Sequence, residues 1–205
     1  MELIRTQGPG ERAKIEGVLK AFPCLGEGPV LDVGCRSRQL ATLLKEPAPR
    51  YVGIDIQTPA DVIASVDRGL PFAERSFDSV VALDVLEHTD DIHTAIAEVC
   101  RVSRRFVVIS LPNMYLLEVR LRFLLGRPLS GKYGLPVAAQ ADRHRWLFTL
   151  EEARHFCREC SRELGFRLAR EGCLIGPRRR TLLGPAVVRV PGILCPTYLV
   201  LLERR

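Results

Sequence analysis

The stretch VLDVGCRSRQLATLL, residues 30–44, decides the fold of this chain of 205 residues. Its beginning, Val30–Gly34, predicts a buried strand that ends in a tight glycine turn. Apolar residues at helical spacing follow, namely Leu40, Leu43 and Leu44. A strand that turns sharply into a helix directs unpaired backbone N–H groups at whatever binds there. The stretch therefore predicts a ligand-binding turn at one edge of a parallel sheet.

The rest of the chain alternates between strand-like and helix-like segments, which is typical of a mainly parallel sheet with helices on its faces. The other predicted strands are Tyr51–Ile56, Val62–Val66, Phe77–Leu83, Arg105–Leu111, Phe166–Leu174 and Ile193–Leu202. The predicted helices are Glu11–Ala21, a segment capped by Asp90 or Asp91 that ends at Val102, Met114–Leu125, and a segment that Thr149 caps in a capping box with Glu152. We expect one domain over residues 1–205, with a lid or insertion at about 113–148 that includes the Gly- and Pro-rich loop Gly126–Ala141.

The charge of the chain is divided unevenly between its halves. Residues 1–100 carry 10 Lys and Arg against 16 Asp and Glu, whereas residues 101–205 carry 20 against 8. A basic second half can attract an anionic substrate or a nucleic acid. No basic stretch interleaved with aromatic residues accompanies this charge, so nucleic acid is not the expected partner.

The expected location is the cytoplasm. The first twenty residues are charged and lack the apolar core of a secretory signal. The longest apolar stretch, Pro185 to Leu202, is interrupted by Arg189, Pro191 and Pro196, which argues against stable membrane insertion. Seven scattered cysteines, an odd number, argue against a disulfide framework and for a reducing compartment.

Three carboxylates stand at or just beyond the ends of predicted strands, namely Asp55, Asp67 and Asp84. In an open parallel sheet these ends line the ligand crevice. Asp55 follows the glycine turn by about twenty residues, where an acidic side chain typically accepts hydrogen bonds from ribose hydroxyls.

The segments VLDVGC, YVGIDI and DRGLPFAERSFDSVVALDVLEH, followed by AIAEVCRVSRRFVVISLPN, resemble the class I S-adenosylmethionine-dependent methyltransferases. More narrowly, they resemble the small single-domain branch that modifies metabolites, lipids and sugars. The resemblance covers roughly Val30 to Asn113. It implies a three-layer Rossmann-like α/β sandwich whose seven-stranded sheet is mostly parallel with an antiparallel last strand. It also implies a methyltransferase that uses S-adenosylmethionine.

The resemblance further implies which residues bind the cofactor. The methionine part would lie against Asp32, Gly34 and the backbone of Cys35, and Leu83 and Asp84 would close the pocket near the sulfonium.

For the nucleoside part, the resemblance implies that Asp55 binds the ribose hydroxyls and that Ile56 lies beside the adenine. Asp67 would accept a hydrogen bond from the adenine amino group, and Arg68 would flank it.

Arg36 and Arg38 depart from the glycines that such a turn normally carries. Glycine is needed there because a side chain would collide with the ligand, or because the backbone adopts φ > 0, which costs an arginine roughly 1 kcal/mol or more. Either the loop takes another course and a guanidinium, such as that of Arg36, pairs with the carboxylate of the cofactor, or the arginines fill the pocket. We favour retained binding, because the remaining binding residues are all present.

Two histidines are candidates for the general base. His88 follows Asp84 and Glu87, which could orient its ring and raise its pKa, and the resemblance places it at the substrate mouth. His144 stands beside Trp146 just before a capped helix. Each also has a purely structural interpretation, as a helix cap for His88 and as an anchor of the lid for His144.

No metal site is expected. The HFCREC segment places Cys157 and Cys160 near His155, and Cys173 is the nearest further ligand, but a structural zinc site needs four ligands and usually a knuckle turn. We therefore interpret these cysteines as core or surface thiols. Arg178–Arg180 is either a phosphate site or a solvated turn.

The favoured function is methyl transfer to an oxygen or nitrogen atom of a small or medium acceptor, including a lipid or sugar. A non-catalytic binding or scaffold protein with a closed cofactor pocket is the first alternative. An RNA methyltransferase that uses the basic second half is the second. The oligomeric state is left open.

Overall fold

The structure is a computed structural model, and it describes residues 1–44, 50–129, 132–133, 137–138, 143–177 and 186–205. Its strands are β1 (Glu2–Arg5), β2 (Val30–Val33), β3 (Tyr51–Asp55), β4 (Val62–Ile63), β5 (Phe77–Leu83), β6 (Ser103–Pro112), β7 (Phe166–Ile175) and β8 (Thr197–Arg204). Its helices include α1 (Glu11–Ala21), α2 (Gln39–Leu43), α3 (Ile92–Val102), α4 (Leu117–Leu124) and α5 (Leu150–Glu163). Half of the predicted Gly- and Pro-rich loop Gly126–Ala141 and all of Arg178–Arg180 lie outside the described residues.

The described strands form one sheet in the order β1-β7-β8-β6-β5-β2-β3-β4. Strands β2 to β6 pair in parallel, and β8 lies antiparallel between β6 and β7, so the predicted antiparallel last strand is confirmed. Within the part of the chain that the structure describes, the sheet has eight strands where seven were expected. The additional strand, β1, is only four residues long and pairs in parallel with the edge of β7.

Alternate side chains of the central strands face two separate cores. Leu31 and Val33 of β2 belong to the core that α3 and α5 cover, whereas Val30 belongs to the core that α1 and α2 cover. This alternation follows from the two-residue period of a strand, and it gives the predicted three-layer sandwich with helices on both faces.

Two predicted strand boundaries were wrong for local reasons. Val62–Val66 is shortened to β4, because the Ser65 side chain caps a 3₁₀ turn, Val66–Arg68, by accepting from the backbone N–H of Asp67 at 3.3 Å. The last strand starts at Thr197 rather than Ile193, because Pro191 opens a short helix, Pro191–Leu194. The other predicted strands agree with the structure to within two residues at each end.

The helix caps follow the sequence closely. Of the two candidate caps for α3, Asp91 is the one used, and its carboxylate accepts from the backbone N–H groups of His93 and Thr94. Thr149 and Glu152 form the predicted capping box of α5. The predicted helix Met114–Leu125 is shorter, α4, and none of its residues is buried. Within the described residues, no helix is both long enough and apolar enough to cross a membrane.

Candidate active site

The glycine turn lies at the carboxyl end of β2. Gly34 has φ 72°, and its N–H donates to the carbonyl oxygen of Ile54 at 2.8 Å. A Cβ atom at this position would lie 2.5 Å from Cγ2 of Val85, so any side chain there would force Val85 to move. The turn therefore needs glycine both for its left-handed backbone and for space.

Both arginines of the turn adopt the left-handed backbone conformation that favours glycine. The φ angle is 45° at Arg36 and 58° at Arg38. Nη2 of Arg38 lies 2.7 Å from Oδ1 of Asp61, and its guanidinium carbon lies 5.6 Å from the ring centre of Tyr51. Asp61 also accepts from the backbone N–H of Gly53 at 2.8 Å. Arg38 is thus turned toward β3 and is held there by an ion pair and a cation–π contact.

A cleft of about 230 Å³ opens beside this turn. It is lined by Gly10, Glu11, Lys14, Ile15, Asp32, Gly34, Cys35, Arg36, Leu83 and Asp84. Six of the ten residues predicted to bind the cofactor are therefore brought together at its wall. In contrast to Arg38, Arg36 is part of this wall, and its backbone N–H donates to Oδ2 of Asp55 at 3.0 Å.

Lys14 and Asp84 form an ion pair at one side of the cleft. The Lys14 ammonium also donates to Oγ of Ser110 at 2.9 Å, and that hydroxyl donates to Oδ1 of Asp84 at 2.8 Å. Burial opposes ionisation of Asp84, but the charge of Lys14 and the hydrogen bonds from Lys14 and Ser110 lower its pKa below the ordinary value. Asp84 is therefore an anion at neutral pH.

Asp32 is part of the cleft wall and is almost fully buried. Burial raises its pKa to about 7, although the Tyr51 hydroxyl partly opposes this shift by donating to Oδ2 at 2.8 Å. The negative charges of Glu11 and Asp55 add to the increase. Asp32 thus changes its protonation state near neutrality.

The residues predicted to bind the nucleoside extend beyond this cleft. Asp55 ends β3, and Ile56 follows it with an exposed side chain. Asp67 sits in the 3₁₀ turn after β4, where Oδ1 accepts from the backbone N–H of Asp90 at 2.9 Å, and Arg68 is exposed beside it. Ile56, Asp67 and Arg68 are not part of the cleft wall.

The two candidate bases, His88 and His144, are in contact. The rings of His88 and His144 lie edge to face with their centres 4.5 Å apart. Nδ1 of His88 is 2.9 Å from the carbonyl oxygen of Arg143, and because a carbonyl only accepts, Nδ1 carries a proton. Beside them, burial raises the pKa of Glu87 to about 8, and the charge of Asp84 adds to this increase.

The segment that carries His144 is fastened to the turn after β5. The backbone N–H of Arg145 donates to the carbonyl oxygen of Glu87 at 2.8 Å, and the Trp146 indole donates to the carbonyl oxygen of Thr89 at 2.8 Å. Arg145 also forms an ion pair with Asp90. These bonds agree with the structural interpretation of His144 as an anchor, and its role as a general base stays a prediction.

A family model described as a methyltransferase domain matches residues 7–173. The chain belongs to this methyltransferase family. The resemblance predicted from the sequence is thereby confirmed, and so is the prediction of a methyltransferase. No curated protein gives a significant sequence match.

Solved structures show the same fold at low sequence identity. Magnesium protoporphyrin IX methyltransferase from Synechocystis PCC 6803, with bound S-adenosylhomocysteine, is 16% identical with a TM-score of 0.62 over 95% of this chain and 83% of that one. A methyltransferase from Archaeoglobus fulgidus is 17% identical, with a TM-score of 0.61 over 95% of both chains. The 1,6-didemethyltoxoflavin-N1-methyltransferase of Burkholderia thailandensis is 19% identical, with a TM-score of 0.59 over 95% of this chain and 79% of that one.

Several residues of this methyltransferase site were missed by sequence reasoning. Lys14 lies on the first long helix, and Ser110 lies inside a strand, so neither carries a local signal. Tyr51 was predicted only as a strand residue, and Asp61 was not singled out.

The HFCREC segment of this methyltransferase does not gather ligands. Cys157 and Cys173 are buried, whereas His155 is exposed on the other side of α5. Sγ of Cys160 lies 3.8 Å from Nδ1 of His93. Each of the seven cysteines is a free thiol in the structure.

Proposed function

We propose that this chain transfers a methyl group from S-adenosylmethionine to an oxygen or nitrogen atom of a small acceptor. The observation that carries the proposal is the cleft beside the Gly34 turn, where carboxylates and two cations face one space in a chain of a methyltransferase family. Two structural neighbours are named for small acceptors, magnesium protoporphyrin IX and 1,6-didemethyltoxoflavin. Their acceptors support a small molecule rather than a polymer for this chain.

The charges of the cleft suit the methionine end of the cofactor. That end carries a positive sulfonium, a positive amino group and a negative carboxylate. Asp84, an anion, and Asp32, which ionises near neutrality, offer negative charge to the two cationic groups. Arg36 offers a planar guanidinium to the carboxylate, for which a two-pronged contact is well shaped.

The two arginines of the turn have different proposed roles. Arg38 is engaged with Asp61 and Tyr51, so it stabilises the turn from outside. Arg36 is part of the cleft wall, so it is the one that binds the cofactor carboxylate. Both arginines accept a left-handed backbone, so the turn keeps its course without glycine at either position.

The remaining cofactor contacts follow the ends of the parallel strands. Asp55 binds the ribose hydroxyls, and Ile56 lies against the adenine. Asp67 accepts from the adenine amino group, and Arg68 flanks it. These positions follow one another along the carboxyl edge of the sheet, where ligands of open parallel sheets bind.

The chemical step needs alignment and removal of one proton. The cofactor supplies a methyl carbon that its sulfonium already activates. The acceptor atom bonds to this carbon while the carbon–sulfur bond breaks, and the sulfur keeps that electron pair. The chain aligns the two reactants. His88 and His144, whose rings lie against each other, are the proposed bases for the proton of the acceptor.

Binding of S-adenosylhomocysteine tests the proposal directly. A ligand that binds only the folded chain stabilises it by about 2.7 kcal/mol at a concentration of 100 Kd, so the melting temperature should rise. Asp55→Asn should weaken this rise, whereas Asp78→Asn, at the opposite end of β5, should leave it unchanged. No stabilisation at millimolar S-adenosylhomocysteine would instead support the scaffold alternative.

The acceptor class has a separate test. S-adenosylhomocysteine formation is measured with panels of hydroxylated and amine-bearing small molecules, including lipids and sugars. Turnover confined to RNA, together with salt-sensitive RNA retention, would instead support the RNA methyltransferase alternative. The seven free thiols support the cytoplasm as the proposed location.

A further inference from the structure

We propose that Glu87, His88 and His144 together bind one divalent transition-metal ion beside the cofactor cleft. One ligand atom from each of these side chains can be chosen so that all three lie within 4.8 Å of one another. Nε2 of His88 is 3.8 Å from Oε1 of Glu87. Metal–ligand bonds of about 2.0–2.2 Å bring neighbouring ligand atoms to about 3–4 Å, so small side-chain rotations close the site.

The buried carboxyl group of Glu87 is the strongest indication of a cation site. Its side chain is fully buried, and neither of its oxygens has a hydrogen-bond partner among the residues that the structure describes. Burying a carboxyl group without hydrogen bonds is costly, and buried acidic side chains are normally paired or coordinate a metal. A dication between Glu87 and the two imidazoles supplies both the charge and the ligand bonds.

The hydrogen bonds behind the two imidazoles are those of metal ligands. Nδ1 of His88 donates to the carbonyl oxygen of Arg143, which directs Nε2 toward Glu87. Nδ1 of His144 lies 2.7 Å from the Tyr133 hydroxyl. Ligating histidines typically make such a bond with the second ring nitrogen, because it fixes the tautomer and the orientation of the ring.

Backbone hydrogen bonds hold the segment that carries the third ligand, His144. Backbone N–H groups of Arg145 and Trp146 both donate to the carbonyl oxygen of Glu87, at 2.8 and 3.3 Å. The indole of Trp146 adds a further bond to the carbonyl oxygen of Thr89. His144 is therefore fastened to the same turn that carries the other two ligands, which is what a built site requires.

The ligand set selects the class of metal. Two imidazoles and one carboxylate suit Zn²⁺, Fe²⁺, Co²⁺ or Mn²⁺, whereas Ca²⁺ and Mg²⁺ prefer oxygen ligands throughout. Three protein ligands leave at least one coordination position open, as in catalytic rather than structural zinc sites. Glu87 and His88 follow Asp84 of the cleft wall by three and four residues, so the proposed site lies close to the cleft in the chain.

From the open coordination position we infer a class of acceptor, and this inference rests on the proposed function. An acceptor hydroxyl that binds the ion has a lowered pKa and loses its proton to solvent. The resulting oxygen then bonds to the methyl carbon as the carbon–sulfur bond breaks. His88 and His144 are ligands in this assignment, and the ion takes over the activation proposed for His88 as a base. The acceptors are accordingly hydroxylated compounds rather than amines.

The experiment titrates Co²⁺ into the full chain after removal of metals with a chelator and in the absence of S-adenosylmethionine. We expect one equivalent to bind and to give visible d–d absorption without the sulfur-to-cobalt charge-transfer band that cysteine ligands produce. Glu87→Gln, His88→Gln and His144→Gln should each weaken binding at least tenfold. His155→Gln, at the exposed histidine of α5, is the matched control and should bind as the unaltered chain does.

The outcomes separate this proposal from the proposed function. Binding of S-adenosylhomocysteine by the same variants, together with their circular dichroism, shows that they are folded. Failure to bind stoichiometric Co²⁺, a charge-transfer band, or equal binding by His144→Gln and His155→Gln would each overturn the metal site. A chain that binds Co²⁺ as expected but gives no response to S-adenosylhomocysteine would instead overturn the proposed function and leave the metal site standing.

Discussion

Lys14, on the first helix, holds the carboxylate of Asp84 at the end of β5, although the two residues are 70 positions apart. Ser110 of β6 bonds to both of them. An ion pair and two hydrogen bonds thus join one helix and two strands beside the cleft. Because the Lys14 side chain is mostly buried and that of Asp84 only partly, this pair has less access to water than an ordinary surface ion pair.

The first prediction concerns the stability that this pair provides. Lys14→Met should lower the free energy of unfolding at pH 7 by about 2 kcal/mol, because it leaves the partly buried carboxylate of Asp84 without its counter-charge. Urea unfolding measures the change. Lys20→Met, at an exposed lysine of the same helix, is the control and should change the free energy by less than about 0.5 kcal/mol.

The pH dependence of that loss has a definite sign. The pKa of Asp84 is lower in the folded chain than in the unfolded chain, so its contribution is present above the unfolded pKa of about 3.9 and disappears as the pH falls below it. The difference between Lys14→Met and the unaltered chain should therefore shrink between pH 5 and pH 3. An equal difference at both pH values would contradict an electrostatic role of Lys14.

The second prediction concerns Asp32, for which the sign is opposite. Its pKa is about 7 in the folded chain and about 3.9 in the unfolded chain, so the folded chain binds an additional proton between these values. Stability should fall as the pH rises from about 4 to about 7, by on the order of 4 kcal/mol from this group. Asp32→Asn should remove that fall, because asparagine does not ionise but can still accept from Tyr51.

Tyr51→Phe provides the complementary measurement. The Tyr51 hydroxyl stabilises the anion of Asp32 by a hydrogen bond, and Arg38 stabilises it by its charge. The negative charges of Glu11 and Asp55 destabilise the anion. Removing the hydroxyl should move the fall in stability to higher pH. The measurement is the free energy of unfolding of the unaltered chain, Asp32→Asn and Tyr51→Phe at pH values from 4 to 9. If Asp32 were not the titrating group, Tyr51→Phe would leave the midpoint of the pH-dependent fall in stability unchanged.

The third prediction concerns the left-handed backbone at Arg38. Arg38→Gly and Arg38→Ala both remove the ion pair with Asp61, but only glycine also removes the backbone strain. Arg38→Gly should therefore be more stable than Arg38→Ala by roughly 1 kcal/mol. Arg104, which pairs with Asp78 from within β6 and has an ordinary φ, is the matched control. There the order should be reversed, because glycine weakens a strand.

The sequence predicted those features that depend on neighbouring residues. Alternation and apolar runs located the strands, and Asp91 and Thr149 capped helices as their side chains allow. The strand β1 was not predicted, because its four residues are too few to show a pattern and its partner β7 is distant in the chain.

The residues of the candidate site likewise fall into those that the sequence predicted and those that it did not. Gly34 and the carboxylates at strand ends were predicted because position relative to a strand determines their surroundings. The ion pair of Lys14 and the contact between His88 and His144 were not predicted, because each joins segments that only the folded chain brings together. The periodicity of a single segment carries no information about contacts between distant segments. The contact between His88 and His144, for example, depends on the backbone hydrogen bond from Arg145 to Glu87, which holds the two segments together.

The fourth prediction distinguishes the two roles proposed for the arginines of the glycine turn. S-adenosylhomocysteine carries the carboxylate that Arg36 is proposed to bind, whereas 5′-methylthioadenosine has the same nucleoside and lacks that carboxylate. Arg36→Ala should weaken binding of S-adenosylhomocysteine by about 10- to 100-fold, as expected for loss of a charge-assisted hydrogen bond of about 1.5–3 kcal/mol. Binding of 5′-methylthioadenosine should change by less than threefold, because its contacts lie on the nucleoside side.

Calorimetric titration of both ligands into Arg36→Ala and Arg38→Ala completes the comparison. Arg38 faces Asp61 and the Tyr51 ring rather than the cleft wall, so Arg38→Ala should affect both ligands alike through the stability of the turn. The ratio of the two dissociation constants therefore isolates the carboxylate contact from any loosening of the loop. If Arg36→Ala left that ratio unchanged, the arginine would not bind the carboxylate. If it instead tightened binding of both ligands, the Arg36 side chain would be occupying the space that the cofactor needs.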